Sequence, residues 1–213
     1  TFKAPGGSIL GTGTITPAAP SFVNNSFTGT LSWNRLAELA TSKGVTYRAG
    51  FAPIDLTIIG GKYKAPAPGT VIMGLTNAAE RARLVFAEGG LSDEDLDGSD
   101  ANTTADNFVF SIQNTGTGVA QKVTLPAVTD TLKNFNKVTF TLGTTPQGLF
   151  SGGFTIPNAN KALIRTAKFN GMIVWTGAAY MAQGHFLLAQ PPQSGQTITT
   201  SPVLSGQVIL ESH

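Results

Sequence analysis

The chain has 213 residues, of which 12% are charged, a formal net charge of +2 and no cysteine. These numbers exclude disulfides, thiolate zinc sites and cysteine nucleophiles, and 41% hydrophobic residues exclude a disordered chain. The 14 Lys and Arg never run three together, so no basic stripe for nucleic acid forms, and no apolar run reaches the roughly 18–20 residues of a membrane-spanning helix.

In chain order, residues 1–20 form a Gly/Pro-rich, polar segment with a short β-capable centre at 8–16. It reads either as the first strand of its own domain or as an arm. An arm would lay Ser8, Ile9, Leu10, Thr12, Thr14 and Ile15 against the sheet edge of a neighbouring copy. Residues 21–213 read as one β domain, with a subdivision possible near 91–107. One short helix is expected at about 34–43, where Asn34 can cap, Leu36, Leu39 and Ala40 share a face, and Gly44 can terminate. Strands are expected at 55–59, 70–75, 83–88, 107–113, 121–125, 137–142, 162–168, 172–176, 185–189 and 207–210, because alternating or β-branched runs are separated there by turn residues. About ten short strands predict an all-β fold, an antiparallel β-sandwich or a partly closed, curled barrel.

The pattern apolar, small polar, Gly, any residue, apolar recurs as FTGTL (27–31), FSGGF (150–154), FNGMI (169–173) and LSGQV (204–208). Glycine inside a strand marks a bulge, a bend or a close approach of another group. The succession GLFSGGFTIP, RTAKFNGMIVW, GHFLLAQPP and SPVLSGQVIL resembles a glycine-punctuated β module of large secreted bacterial cell-surface proteins, with YRAGFAPIDLTIIGGKYKAPAPG and ARLVFAEGGL as its preceding part. The resemblance spans most of residues 45–210. It implies an exported, non-catalytic part of the cell envelope and supplies no catalytic residues. Composition points the same way. Solubility falls to Thr, Ser, Asn, Gln and Gly, the profile of extracellular and surface proteins, and the chain starts at Thr1 without a Met or signal peptide, as a processed chain or an excised domain would.

Six of the 12 acidic residues (Asp93, Glu94, Asp95, Asp97, Asp100 and Asp106) fall in one stretch, LSDEDLDGSDANTTADN, at 91–107. Asp93-x-Asp95-x-Asp97-Gly98 matches the start of a calcium loop, in which carboxylates at alternate positions of a wound loop converge and a Gly permits the turn. The expected ligands for Ca²⁺ are Asp93, Asp95, Asp97, the Ser99 carbonyl, Asp100 and Asp106. The closing position is Thr104 rather than Glu and no amphipathic helices flank the segment, so it is not an EF-hand. The alternative is a solvated acidic loop.

Other constellations are sparse. Trp33, Tyr47, Tyr63 and Tyr180 can stack on sugar rings, while Trp175, after Met-Ile-Val, reads as core. His185 is a lone strand histidine. A paired-carboxylate glycoside hydrolase would have to draw on Asp55, Glu80, Glu88 or Asp130. The expected function is therefore a non-catalytic structural or adhesive surface module, a filament or layer subunit joining copies of itself or other surface proteins through strand edges. The alternatives are a calcium-dependent carbohydrate-binding module that takes glycans and, more distantly, a β-fold glycoside hydrolase.

Overall fold

The computed structural model describes residues 3–4, 7–16, 26–38, 45–47, 49–61, 63–97, 107–143 and 148–213. Among the described residues, twelve strands form two antiparallel sheets. The smaller has the order β1 (Lys3–Ala4), β2 (Gly7–Thr16), β3 (Ser26–Arg35), β4 (Phe51–Gly61). The larger is built from β5 (Ala82–Glu88), β6 (Asn107–Asn114), β7 (Gln121–Thr124), β8 (Thr139–Leu142), β9 (Leu149–Ile156), β10 (Arg165–Trp175), β11 (Tyr180–Ala189) and β12 (Val203–Ser212). Its order is β7-β6-β5-β12-β11-β10-β9-β8, and it curls until it is nearly closed into a barrel. The expected all-β, partly closed barrel is the fold found.

Period-two patterning places the core. From Arg165 to Asn170, buried and exposed residues alternate without a break, so Ala167 and Phe169 face inward while Thr166 and Lys168 meet water. Eight inward phenylalanines form one chain of ring contacts. Phe108 meets Phe110, Phe110 meets Phe140 (5.0 Å between centroids), Phe140 meets Phe150, and Phe150 meets Phe169. Phe169 meets Phe86, which touches Phe154 (4.7 Å) and Phe186. All eight are buried, each contributing on the order of 2–3 kcal/mol of burial. The Phe110–Phe140 contact joins β6, next to the β7 end of the sheet order, to β8 at the other end. Closure is therefore a ring contact rather than a hydrogen-bonded ladder.

The glycines of the micro-repeat make room for these rings. Across the ladders, Gly152 stands opposite Phe169, Gly171 opposite Phe150, and Gly206 opposite Phe186. A Cβ on any of the three would fall inside the van der Waals envelope of a phenylalanine ring. The registers run through these glycines without a shift, so they mark a close approach and not a bulge. The fourth copy, FTGTL, lies in β3 of the smaller sheet, where Gly29 pairs with Gly13 and Ile58.

Three expected elements differ. Residues 70–75 form no strand but a 3-10 turn at Ile72–Gly74, with Met73 and Gly74 at positive φ. Val71, Ile72 and Leu75 are nevertheless buried, because a short apolar run can enter a core from a turn as well as from a strand. The separate strands at 162–168 and 172–176 are one strand, β10, preceded by a 3-10 turn at Lys161–Leu163 that the Asn160 side chain caps by accepting from Ala162 N–H. Gly171, which fell between the two expected strands, is a strand interior. In the stretch expected as a helix, Asn34 and Arg35 belong to β3 and 36–38 are irregular, while residues 39–44 lie outside the described residues. Leu36 is 78% exposed. The α-helix found among the described residues is α1 (Asp93–Asp97), inside the acidic segment.

Candidate functional site

The acidic segment opens as a helix whose start is closed locally. Ser92 N–H donates to Asp95 Oδ2 (3.0 Å) while Asp95 N–H donates to the Ser92 carbonyl (3.0 Å), a reciprocal arrangement that satisfies donors at the helix start. Leu96 is buried in the core and anchors the turn. The other Asp95 oxygen, Oδ1, accepts from the Arg165 guanidinium at 2.6 Å. Both side chains are largely out of water, at 6% exposure for Arg165 and 16% for Asp95. The Asp95 carbonyl accepts from Asn136 Nδ2 (2.6 Å), which also donates to the Thr155 carbonyl (3.1 Å).

Asp95 therefore ties α1 to β10 and to the segment before β8. Of the three spaced aspartates, Asp95 has its carboxylate committed to the Arg165 guanidinium and the Ser92 amide. Glu94 is exposed, and the side chains of Asp93 and Asp97 lie outside the described part. Gly98, Ser99, Asp100, Asn102, Thr104 and Asp106 also lie outside the described residues. Among the described residues no group of three or more His, Asp or Glu can hold a metal ion.

A cleft of about 410 Å³ opens at the barrel seam, lined among others by Phe108, Glu80, Lys133, Asn134, Asn136 and His213. Its polar groups are occupied. Lys133 Nζ donates to Glu80 Oε1 at 3.0 Å, and this hydrogen bond, with the Glu80 charge, raises the lysine pKa. Asp130 adds to that rise from nearby, but its Oδ1 already accepts from the Leu132 and Lys133 amides of its own turn. Asn134, 2% exposed, accepts from Val138 N–H (2.6 Å) and donates to the Pro126 and Val138 carbonyls. The other carboxylates considered for hydrolysis stand elsewhere, Asp55 on exposed β4 and Glu88 exposed at the end of β5. His185 is an exposed β11 position between Asn170 and Gln207.

The aromatic residues form two clusters. Trp33, Tyr47 and Phe51 meet edge to face, at interplanar angles of 76° to 83°. A ladder irregularity between Trp33 and Arg35 gathers the three, because it pairs Phe51 with Arg35 and so puts it on the Trp33 side. Tyr47 OH donates to Ser205 Oγ (2.6 Å) and accepts from Ser205 N–H (3.0 Å), and Val203 N–H donates to the Val45 carbonyl (3.0 Å). Tyr47 thus straps the smaller sheet to β12. In the second cluster, Trp175 meets Tyr180 edge-on at 4.8 Å and carries the Lys64 ammonium over its ring at 4.5 Å. Tyr180 OH donates to the Lys64 carbonyl (3.2 Å). Burial, then the charge of Tyr180, pushes the Tyr63 phenol up, and burial pushes up that of Tyr180. Every one of these rings is half-buried.

The N-terminal segment pairs within its own chain. β2 runs antiparallel to β3 from Gly7–Arg35 to Thr16–Ser26, which covers the six residues considered for strand addition, Ser8, Ile9, Leu10, Thr12, Thr14 and Ile15. On its far side β2 meets β1 only at Gly7 and Ser8, so from Ile9 on it is one outer edge of the described sheet, and the other outer edge is β4. β4 pairs only with β3 among the described strands, and its residues 52–57 are all exposed. Sequence reasoning passed over this edge, and passed over Arg165, Asn134 and Asn136. The single signal for Arg165 is parity, since it shares the inward register of Ala167 and Phe169.

Comparison of the chain with protein-family models, with curated proteins and with solved structures finds no match.

Proposed function

We propose that this chain is a non-catalytic structural or adhesive module of an exported surface assembly, in which copies join through the β4 side of the smaller sheet. The observation that carries the reading is β4 itself, an 11-residue outer strand with residues 52–57 exposed. A long strand with unpaired backbone groups is a template for another chain. Two features of β4 temper that edge without closing it. Pro53 removes one donor, and Asp55 is its one charge. The phenylalanine-filled interior supports the same reading, because a small barrel whose lumen is packed with side chains works through its outside. Thr- and Gly-rich strands with few charges support an extracellular setting. Calcium belongs to this proposal only through donors other than Asp95, whose carboxylate is held by Arg165.

Sedimentation velocity and electron microscopy of the intact chain over a concentration series test the reading, and concentration-dependent association is expected. A strictly monomeric chain that binds glycans on an array, and loses them on Trp33→Ala, would replace it with the carbohydrate-binding module.

A further inference from the structure

The outer side of the barrel wall carries a row of neutral polar side chains standing next to each other. The ladders place Ser151 opposite Asn170, Asn170 opposite His185, and His185 opposite Gln207. One comes from each of β9, β10, β11 and β12. The chain neighbour of each is a glycine, Gly152, Gly171, Gly184 or Gly206. Three of these glycines lie against a ring of the interior, Gly152 against Phe169, Gly171 against Phe150 and Gly206 against Phe186, while Gly184 lies against the Asn170 carbonyl. The backbone under the row is therefore pinned from inside, which fixes the spacing of the side chains outside. The glycines that make room for rings also build the row.

Two observations set the row apart. Among the described residues none of its four side chains is hydrogen-bonded within the chain. Asn114, Asn134, Asn136, Gln121 and Gln190, by contrast, all donate to carbonyls of the fold. The outer side of these four strands is also nearly free of charge, where a protein surface ordinarily carries most of it. Lys168 stands there without an ion pair, and Glu211 is paired with Arg83. Apolar side chains flank the row about 6.6 Å to either side. Leu149 and Met172 face each other on one side, 40% and 49% exposed, and Leu187 lies on the other, 48% exposed.

We propose that this row is a binding site for an uncharged oligosaccharide, which lies across β9–β12 with its hydroxyls on Ser151, Asn170, His185 and Gln207. This rests on the adhesive side of the reading above, names its ligand, and leaves β4 out of the contact. Charge and hydrogen-bonding chemistry select that ligand. Hydroxyl, amide and neutral imidazole each both donate and accept, as the hydroxyls of a sugar do, and the apolar flanks match the CH faces of its rings. An anionic polymer needs several cations, and one lysine does not supply them. An added strand needs an unpaired edge, and each of β9–β12 is paired on both sides. Four strands at about 4.8 Å spacing make the row about 14 Å long, which suits several linked sugars rather than one.

The test is isothermal titration of the full chain with cellohexaose, chitohexaose and mannohexaose, with heparin as the anionic probe. At least one neutral hexasaccharide should bind with a Kd below about 1 mM. Asn170→Ala/His185→Ala should weaken it by more than about 10-fold, and Gln207→Ala alone should weaken it too. Thr166→Ala, exposed on β10 two rows away, should bind like wild type. Asn170 and His185 are exposed and free of hydrogen bonds, so circular dichroism and the melting temperature should stay unchanged and certify the fold. Failure of every neutral hexasaccharide to bind, binding of heparin alone, or full binding by the double variant overturns the proposal. Association between copies that the double variant loses gives the row to a second copy, and overturns it as well. Sedimentation keeps the two readings apart. A chain that associates but binds no sugar overturns this inference alone, and a monomer whose sugar binding needs Asn170 and His185 overturns the assembly alone.

Discussion

Phe186 stands directly opposite Gly206 across the β11–β12 ladder, its ring filling the space where a side chain on residue 206 would begin. The same exchange of a ring for a missing Cβ joins Phe150 to Gly171 and Phe169 to Gly152. Gly206→Ala should therefore destabilise the protein by about 1–3 kcal/mol, since the ring must leave its rotamer or the strands must part. Gly116→Ala, at a turn with nothing within 4 Å, should change stability by less than about 0.5 kcal/mol. Urea unfolding of both variants, with Gly206→Ala/Phe186→Leu as the third arm, measures it. The double variant should recover part of the loss, as coupled neighbours do.

The Asp95–Arg165 pair makes α1 part of the barrel rather than of a mobile loop. Removing one partner of a pair this far from water leaves the other charge uncompensated. Asp95→Asn should cost about 3 kcal/mol, which for a chain of this size lowers the melting temperature by roughly 6–12 °C. The loss should be the same with calcium and with chelator. Calorimetry in both buffers decides it, and a loss confined to calcium buffer would make Asp95 a metal ligand after all.

Calcium has its own test, which must leave Asp95 untouched. If the remaining donors of 93–106 bind the ion, calcium at about 100 times its dissociation constant should add about 2.7 kcal/mol of stability. Asp97→Asn should remove the gain. A wild-type melting temperature that is identical in calcium and in chelator takes the metal out of the proposal.

The seam should be the weakest part of the barrel wall, because β6 and β8 meet there through Phe110 and Phe140, and Asn134 holds Val138, just before β8, to the segment after β7 at Pro126. Asn134→Ala strands the Val138 amide and two carbonyls, at a cost of about 2–4 kcal/mol. Hydrogen exchange should show the Val138 amide and β8 losing protection first, with β10 and β11 the last to open. Uniform loss across all strands would show that Asn134 supports the whole barrel and not its seam.

Strands were legible where alternation is written directly in residue type, as from Arg165 to Phe169 in β10, but β9 (Leu149–Ile156), interrupted by Gly152 and Gly153, was not expected as a strand. The exceptions have local causes. Gly171 reads equally as a bulge, a bend or a close approach until Phe150 is known to lie over it, and Ile72 reads as strand until Met73 is found at positive φ. The candidate site was less legible. The spacing Asp93, Asp95, Asp97 suits a metal loop, yet the partner that holds Asp95 lies 70 residues away on β10. Spacing along a chain carries no record of a distant cation.

By itself the sequence determined an all-β chain without disulfides, its inward phenylalanines and its glycine positions, because alternation and backbone freedom are local properties of residue type. Only the tertiary structure decided that the larger sheet curls until Phe110 meets Phe140, that Asp95 belongs to Arg165, and that β4 is an outer strand with Ile54 and Leu56 in water. Each of these is a contact, or the lack of one, between residues far apart in sequence, and such contacts are set by how whole sheets pack rather than by any neighbour along the chain.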